Sequence, residues 1–317
     1  MSSHPVIDAA MLDRARDVVT RHLAPTPLLP LHLPGVDRPV HVKLDILQPT
    51  GSFKVRGALA AGAAYAAERE RIITASAGNH GLGIAYAAAR LGIPATVIVP
   101  ETASPAKVAQ LRDADVDLRQ IGQDYDAAEQ AAVELAAGVA GRFVSAYNDP
   151  HVIAGQATLA AELFDQAAEP ATVIVPVGGG GLVAGTSLVL TGRAGWHVVG
   201  VETEHSRGLS AAVAAGEVVT VPVEETIADG LAGNLEPGSI TPGIVRAAGT
   251  AVVAAREPSI RAAVRELATG CGLVVEGSGA VGLAALRDGL IPGDGPVILV
   301  LTGRNIAPAL LAQLLTD

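Results

Sequence analysis

Apolar positions recur along this chain with two periods, one helical and one extended, and the two alternate. From Asp8 to His22 the spacing of Leu12, Ala15, Val19 and, just beyond, Leu23 predicts a helix with one buried side. Pro25-Thr-Pro27 ends that helix and opens an extended stretch, Thr26-Pro-Leu-Leu29, and Val40-His-Val-Lys-Leu-Asp45 alternates like a half-buried strand. An alanine-rich helix then runs to about Arg69. Next come strand Arg71–Thr74, helix Asn79–Leu91, strand Ala95–Val99, helix Ser104–Arg112 with Pro105 at its first position, strand Asp115–Arg119 and helix Asp124–Ala140. A second series begins near Phe143. It predicts helix Ile153–Gln166, strand Thr172–Val177, a helix after Gly181, strand His197–Glu202 and a helix near Leu209–Ala215. After it come strand Ala251–Ala255, helices Ser259–Ala268 and Ser278–Arg287, strand Pro296–Leu301 and helix Asn305–Leu315. Val221 to Thr241, rich in Gly, Pro and Glu, is the longest irregular segment, and long loops of this kind are often functional. Alternation of this kind implies parallel α/β sheets covered on both faces. Two such domains, the first inserted within the second, account for the two series.

Composition narrows the class. The chain has 317 residues, half of them apolar but only 3% aromatic, so its core must be built from Ala, Val, Leu and Ile. A net charge of -10 without a cluster of Lys and Arg argues against nucleic acid, whose binding depends on counterion release. Cys271 is the single cysteine, which excludes an intrachain disulfide or a multi-thiolate metal site; its apolar neighbours predict a buried, inert thiol. Ala171–Gly192 is long and apolar enough to suggest a membrane span, but Pro176 and four glycines interrupt it, and strand, loop and buried helix is the reading adopted. No signal peptide opens the chain, so a cytoplasmic enzyme is expected.

The candidate chemistry centres on Gly51-Ser-Phe-Lys-Val-Arg-Gly-Ala58, where Lys54 lies between an aromatic ring and a second cation, Arg56, at a strand-to-helix boundary. Burial or a neighbouring positive charge turns a lysine amine into a nucleophile suited to Schiff-base chemistry. A lone lysine of this kind is most often a surface residue. Ser76-Ala-Gly-Asn-His80 lies between a strand and a helix, where backbone N–H groups face an anion; an ordinary turn is the plain alternative. Gly178-Gly-Gly-Gly-Leu182 lets the backbone wrap closely around a phosphate ahead of a helix, although glycine runs alone are weak signals. It is neither Gly-x-Gly-x-x-Gly in a first βα unit nor a Gly-Lys-Ser/Thr loop, which disfavours dinucleotides and nucleoside triphosphates.

Thr50–Ala58 closely resembles the pyridoxal-phosphate lysine motif of the threonine/serine dehydratase (ammonia-lyase) family, and the other motifs follow in that family's order up to Leu301-Thr-Gly-Arg-Asn305. The resemblance implies fold type II, similar to the tryptophan synthase β subunit. It has two three-layer parallel-sheet domains, a large one from residues 1–65 and 146–317 and a small one inserted at 66–145. It implies that Lys54 carries pyridoxal 5′-phosphate and that Ser76, Asn79 and His80 bind the substrate carboxylate, Asn79 also touching the cofactor. It further implies that Gly178, Gly179, Gly180, Gly181 and Leu182 cradle the phosphate, and that Thr302 meets the pyridine nitrogen, a neutral partner that favours elimination over transamination. Phe53 and Glu276 are expected near the cofactor; a core ring and a helix-start carboxylate are their plain readings.

Departures from the family pattern refine the expectation. Ala77 stands where eukaryotic serine racemases carry a serine that acts as the second-face base, so dehydration is expected without efficient racemisation. Glu202 matches a cation ligand of those racemases, but an acidic partner near Gly208 is missing, and no metal is expected. Arg304 replaces a small residue; a substrate-side contact and a solvent-facing cation both stay open. The length leaves no room for a C-terminal regulatory domain, so no isoleucine feedback is expected. The expected reaction is α,β-elimination of L-threonine or L-serine by a homodimer without membrane or nucleic-acid partners. Alternatives are a dehydratase for another β-substituted amino acid (hydroxyaspartate, phenylserine, a hydroxyectoine-pathway step), with Thr226–Asn234 and Arg304 as specificity elements, a β-replacement synthase, a silent cofactor or amino-acid sensor, and a phosphate-binding protein without the cofactor.

Overall fold

The computed structural model describes residues 6–68, 70–114, 116–139 and 141–316, apart from the side chain of Ala106. Its strands are β1 Leu28–Pro30, β2 Val40–Leu44, β3 Arg71–Ala75, β4 Ala95–Val99, β5 Asp117–Gln120, β6 Gly141–Phe143, β7 Thr172–Pro176, β8 His197–Thr203, β9 Ala251–Ala255 and β10 Val297–Leu301. The chain divides into two compact units, one of residues 1–24 and 48–158, the other of residues 25–47 and 159–317. These limits lie elsewhere than the expected domain boundaries: residues 1–24, 48–65 and 146–158 cluster with the first sheet.

In the first unit four parallel strands lie in the order β5-β4-β3-β6. Successive side chains of a strand face opposite ways, and here they feed two cores. Ile72, Val97 and Val99 join Val55, Leu59, Ile84 and Leu111 on one face; Ile73, Ala75 and Ile98 meet Ala128 and Ala132 on the other. That double burial is why β3 and β4 are largely apolar with no strict alternation, Thr74 and Thr96 being buried with the rest. The helices begin at the residues the sequence marks: Asp8, Ser104 and Asp124 accept from the N–H of Met11, Lys107 and Ala127, respectively. Phe143 does not open the second series; β6 pairs with β3 as an edge strand of this sheet, and three residues are too few to show a period. The expected ends at Arg69, Asp115 and Ala140 lie outside the described residues.

The second unit holds six strands in the order β1-β2-β10-β7-β8-β9, parallel except for the antiparallel β1–β2 pair. Its core packs Val42, Leu44, Ile174, Val199 and Leu299 against helices Glu257–Cys271 and Gly277–Arg287. The apolar run after Ala171 resolves into β7, the glycine loop and the almost wholly buried helix Gly181–Leu190, and no helix among the described residues is long and apolar enough to cross a membrane. The last helix starts at Pro308, not Asn305, since the residue before a proline is disfavoured in helical conformation and proline suits the first helical position. Cys271 ends its helix partly exposed, since the chain turns outward at Gly272 (φ 67°).

Each sheet reverses its winding once. β3, β4 and β5 proceed in one direction and β6 is added on the other side of β3; β7, β8 and β9 do the same, with β10 added beside β7. At such switch points the loops leaving the strand ends part to opposite faces, and a crevice opens outside the carboxyl ends.

Candidate active site

At the first switch point β3 runs into Ser76-Ala-Gly-Asn-His80, and β6 runs into Val144-Ser-Ala146. The pairing of Ile73 with Phe143 brings these two exits side by side. Lys54 is the first residue of helix Lys54–Ala67, and its Nζ donates to the Ala146 carbonyl (2.8 Å). The Phe53 ring lies 5.2 Å from the same Nζ, within cation–π range. Arg56, on another side of the helix, is fully buried and donates to Thr158 Oγ1 (3.2 Å).

The Ser76 loop starts helix Asn79–Leu91, whose first-turn N–H groups have no intrahelical acceptor. Ser76 Oγ accepts from Gly78 N (3.2 Å) and tightens the turn. Ser76, Ala77, Gly78 and Asn79 are partly exposed, whereas His80 is buried. A Cβ at Gly83 would come within 3.2 Å of the Lys54 main chain, so this helix lies directly on the start of the lysine helix. His80 faces the Val144 carbonyl through Nε2 (3.1 Å), which places the ring proton on Nε2, and Thr74 Oγ1 donates to the same carbonyl (2.9 Å). Burial first, and then the charge of Lys54, push its pKa down to about 3, so the imidazole is neutral. The His80 ring is therefore turned to the protein, and its main-chain N–H stands at the helix start.

In the second unit the exits of β7 and β10 adjoin, because Leu299 pairs with Ile174. β7 leads into Gly178–Gly180 and helix Gly181–Leu190, while β10 leads into the buried Thr302. Gly180 takes φ 85°, a left-handed conformation open to glycine, and a Cβ at Gly178 would lie 3.0 Å from Leu231 Cα. The N–H groups of Gly179, Gly180 and Gly181 carry no backbone hydrogen bond to any described residue and stand ahead of a helix, the arrangement that receives an anion. Leu182, in the first turn, is buried. Glu276 precedes helix Gly277–Arg287, and its carboxylate lies against Gly303 and accepts from Asn305 N (3.1 Å), while its N–H donates to the Gly303 carbonyl (3.0 Å). It clasps the Thr302–Asn305 turn.

The sequence profile described as "Pyridoxal-phosphate dependent enzyme" matches residues 19–303. The chain belongs to this family. Its cofactor is pyridoxal phosphate and its fold is type II. It is 37% identical over 271 residues to the L-threonine ammonia-lyase of Thermotoga maritima, covering 84% of this chain and 67% of that protein. Among solved structures it is similar to the threonine deaminase of T.th. (TM-score 0.87, 32% identity, 95% of this chain and 99% of that one). The serine racemase of maize is also similar (TM-score 0.88, 27% identity, 96% of each chain).

The cradle of this pyridoxal-phosphate enzyme fits a phosphate: Cβ atoms at Gly178 and Gly180 would strike its walls, and its loop donors face no backbone acceptor. Several residues at the two exits carried no sequence signal. Ala146 acts through its carbonyl, and any residue supplies one. Thr241, from the end of the irregular segment, donates to the Gly179 carbonyl (2.7 Å), a contact no local pattern announces. Arg304 is exposed, as the solvent-facing alternative has it, and it also donates from Nη1 to the Ile46 carbonyl (2.6 Å), which fastens the turn after β2. Glu202 accepts through Oε1 from Leu209 N (2.8 Å) and Ser210 N (3.2 Å), and burial raises its pKa. Among the described residues no group of three or more His, Cys, Asp or Glu is placed to hold a metal ion.

Proposed function

We propose that this enzyme eliminates the β-hydroxyl of L-threonine or L-serine, releasing a 2-oxo acid and ammonia. The observation that carries the reading is the Lys54 amine at the first switch point, 2.8 Å from the Ala146 carbonyl and beside a histidine that carries no competing charge. The similarity to an L-threonine ammonia-lyase and a threonine deaminase supports the substrate class.

When bound, pyridoxal phosphate supplies an electron sink conjugated to the substrate α-carbon. Lys54 is the residue that would hold the cofactor through Nζ, and the same amine, oriented by the Ala146 carbonyl, is the group that would take the α-proton. Ser76, Asn79 and the main-chain N–H of His80 hold the substrate carboxylate, and Asn79 also meets the cofactor. Gly178, Gly179, Gly180, Gly181 and Leu182 receive the phosphate. Thr302 would offer the ring nitrogen a neutral hydroxyl and Phe53 would lie near the ring, while Glu276 holds the Thr302 turn in place. Ala77 has no exchangeable side-chain proton, which leaves protonation from the second face without a donor at that position and separates this chain from racemisation. A homodimer in the cytoplasm, acting on free amino acids, completes the proposal.

The test is 2-oxo acid and ammonia release from L-threonine, L-serine, D-serine, 3-hydroxyaspartate and phenylserine. Turnover is expected on the first two, and Lys54→Ala should lower it by about a thousandfold or more. Retained cofactor with no turnover on any substrate would overturn the reading, and rapid conversion of L- to D-serine would replace it with racemisation.

A further inference from the structure

The irregular segment before helix Thr241–Ala247 touches the glycine loop at two places. Gly230 and Leu231 lie against Gly178, where an added Cβ would meet Leu231 Cα at 3.0 Å and the Gly230 carbonyl oxygen at 3.2 Å. The fully buried Thr241 lies against Gly180, where a Cβ would meet its Oγ1 at 3.0 Å, and its hydroxyl donates to the Gly179 carbonyl (2.7 Å). Ser239 Oγ lies 3.1 Å from Thr241 Oγ1. A hydroxyl has one hydrogen; Thr241 gives its own to Gly179, so Ser239 is the donor of that second bond.

From this relay we infer that Thr241, oriented by Ser239, is the positioning residue of the phosphate cradle, an inference that rests on the glycine loop holding the cofactor phosphate. The physical reason lies in the peptide dipole. A run of glycines has no side chains to fix its peptide planes, and a plane that flips exchanges an N–H donor for a carbonyl oxygen. A carbonyl aimed at a phosphate dianion repels it, whereas successive N–H groups form an anion-binding nest. By accepting from Thr241, the Gly179 carbonyl is kept on the side away from the helix start, and the loop offers donors alone. The long segment thus shapes the cofactor site.

Serial dilution of the holoenzyme, loaded with pyridoxal phosphate or with phosphate-free pyridoxal, gives a dissociation constant for each from the visible absorbance. Thr241→Val, which keeps the shape and removes the hydroxyl, should weaken pyridoxal phosphate by about tenfold and pyridoxal by less than about twofold. Thr241→Ser should return the phosphate form to within about threefold of the parent, and Ser239→Ala should cost it about threefold. The serine pair keeps the test decisive if the valine variant fails to fold. Equal weakening of both cofactor forms, or an unchanged preference in the valine and Ser239→Ala variants, overturns the inference alone. A parent that holds pyridoxal as tightly as pyridoxal phosphate removes the phosphate cradle itself, and the inference with it.

Discussion

A buried histidine next to a lysine changes how the molecule responds to acid. The folded chain keeps His80 neutral down to about pH 3, whereas an unfolded histidine binds its proton near 6.5. Between those values the unfolded state holds more protons, so stability rises with pH and is lost as pH falls. At pH 5 this one residue should cost about 2 kcal/mol relative to pH 7.5. His80→Gln retains an N–H donor for the Val144 carbonyl and cannot titrate. Urea denaturation of the two proteins at both pH values should show the acid loss shrinking by about that amount in the variant. An identical loss in both would place the acid sensitivity elsewhere. Two carboxylates show how a residue's type underdetermines its work: Glu202 tethers a helix start and Glu276 clasps a turn.

Two helices depend on glycines for their distance from one another. A Cβ at Gly155, in helix Pro150–Gln166, would come within 2.6 Å of both the Arg56 carbonyl oxygen and Gly57 Cα. A Cβ at Gly57 would come within 2.4 Å of Gln156 Nε2 and 2.9 Å of the Val152 carbonyl oxygen. Main chain meets main chain there, one turn from Lys54, so the glycine of the lysine motif serves packing. Gly155→Ala should destabilise the protein by about 1–3 kcal/mol and lower kcat by shifting the lysine helix. Gly138, also helical, has open space around its Cβ position, so Gly138→Ala should be neutral or stabilising by up to about 1 kcal/mol. Thermal melts and initial rates of both variants decide the matter; equal effects would show that the close crossing does not set the lysine helix.

The whole chain carries a built-in pair of probes. Its four tyrosines, Tyr65, Tyr86, Tyr125 and Tyr147, all belong to the first unit, and its single tryptophan, Trp196, is buried in the second. The two units have separate cores with no residue in common. Chains built this way commonly depart from a single two-state transition. In a denaturant titration of Gly155→Ala, the midpoint seen by tyrosine absorbance should fall by about twice as much as that seen by tryptophan emission. Equal falls would show the two units unfolding as one.

The order of strands and helices was legible in the sequence because parallel strands buried on both faces read as apolar runs, such as Val297–Leu301, between helical periods and capping residues such as Asp124. The placement of Lys54 at a helix start and of the glycine run ahead of a helix was legible too, since each needs particular residue types in a row. The three-residue β6 escaped, being too short to carry a period, and so did the compact units, whose limits depend on packing between segments far apart in the chain. Tertiary structure alone decided that His80 turns its ring to Val144, that Arg304 holds Ile46 and that Thr241 reaches Gly179. Each of these is a hydrogen bond to a main-chain carbonyl distant in sequence. A carbonyl is present at every residue, so nothing in the local pattern says which one a side chain will find until the fold brings the two together.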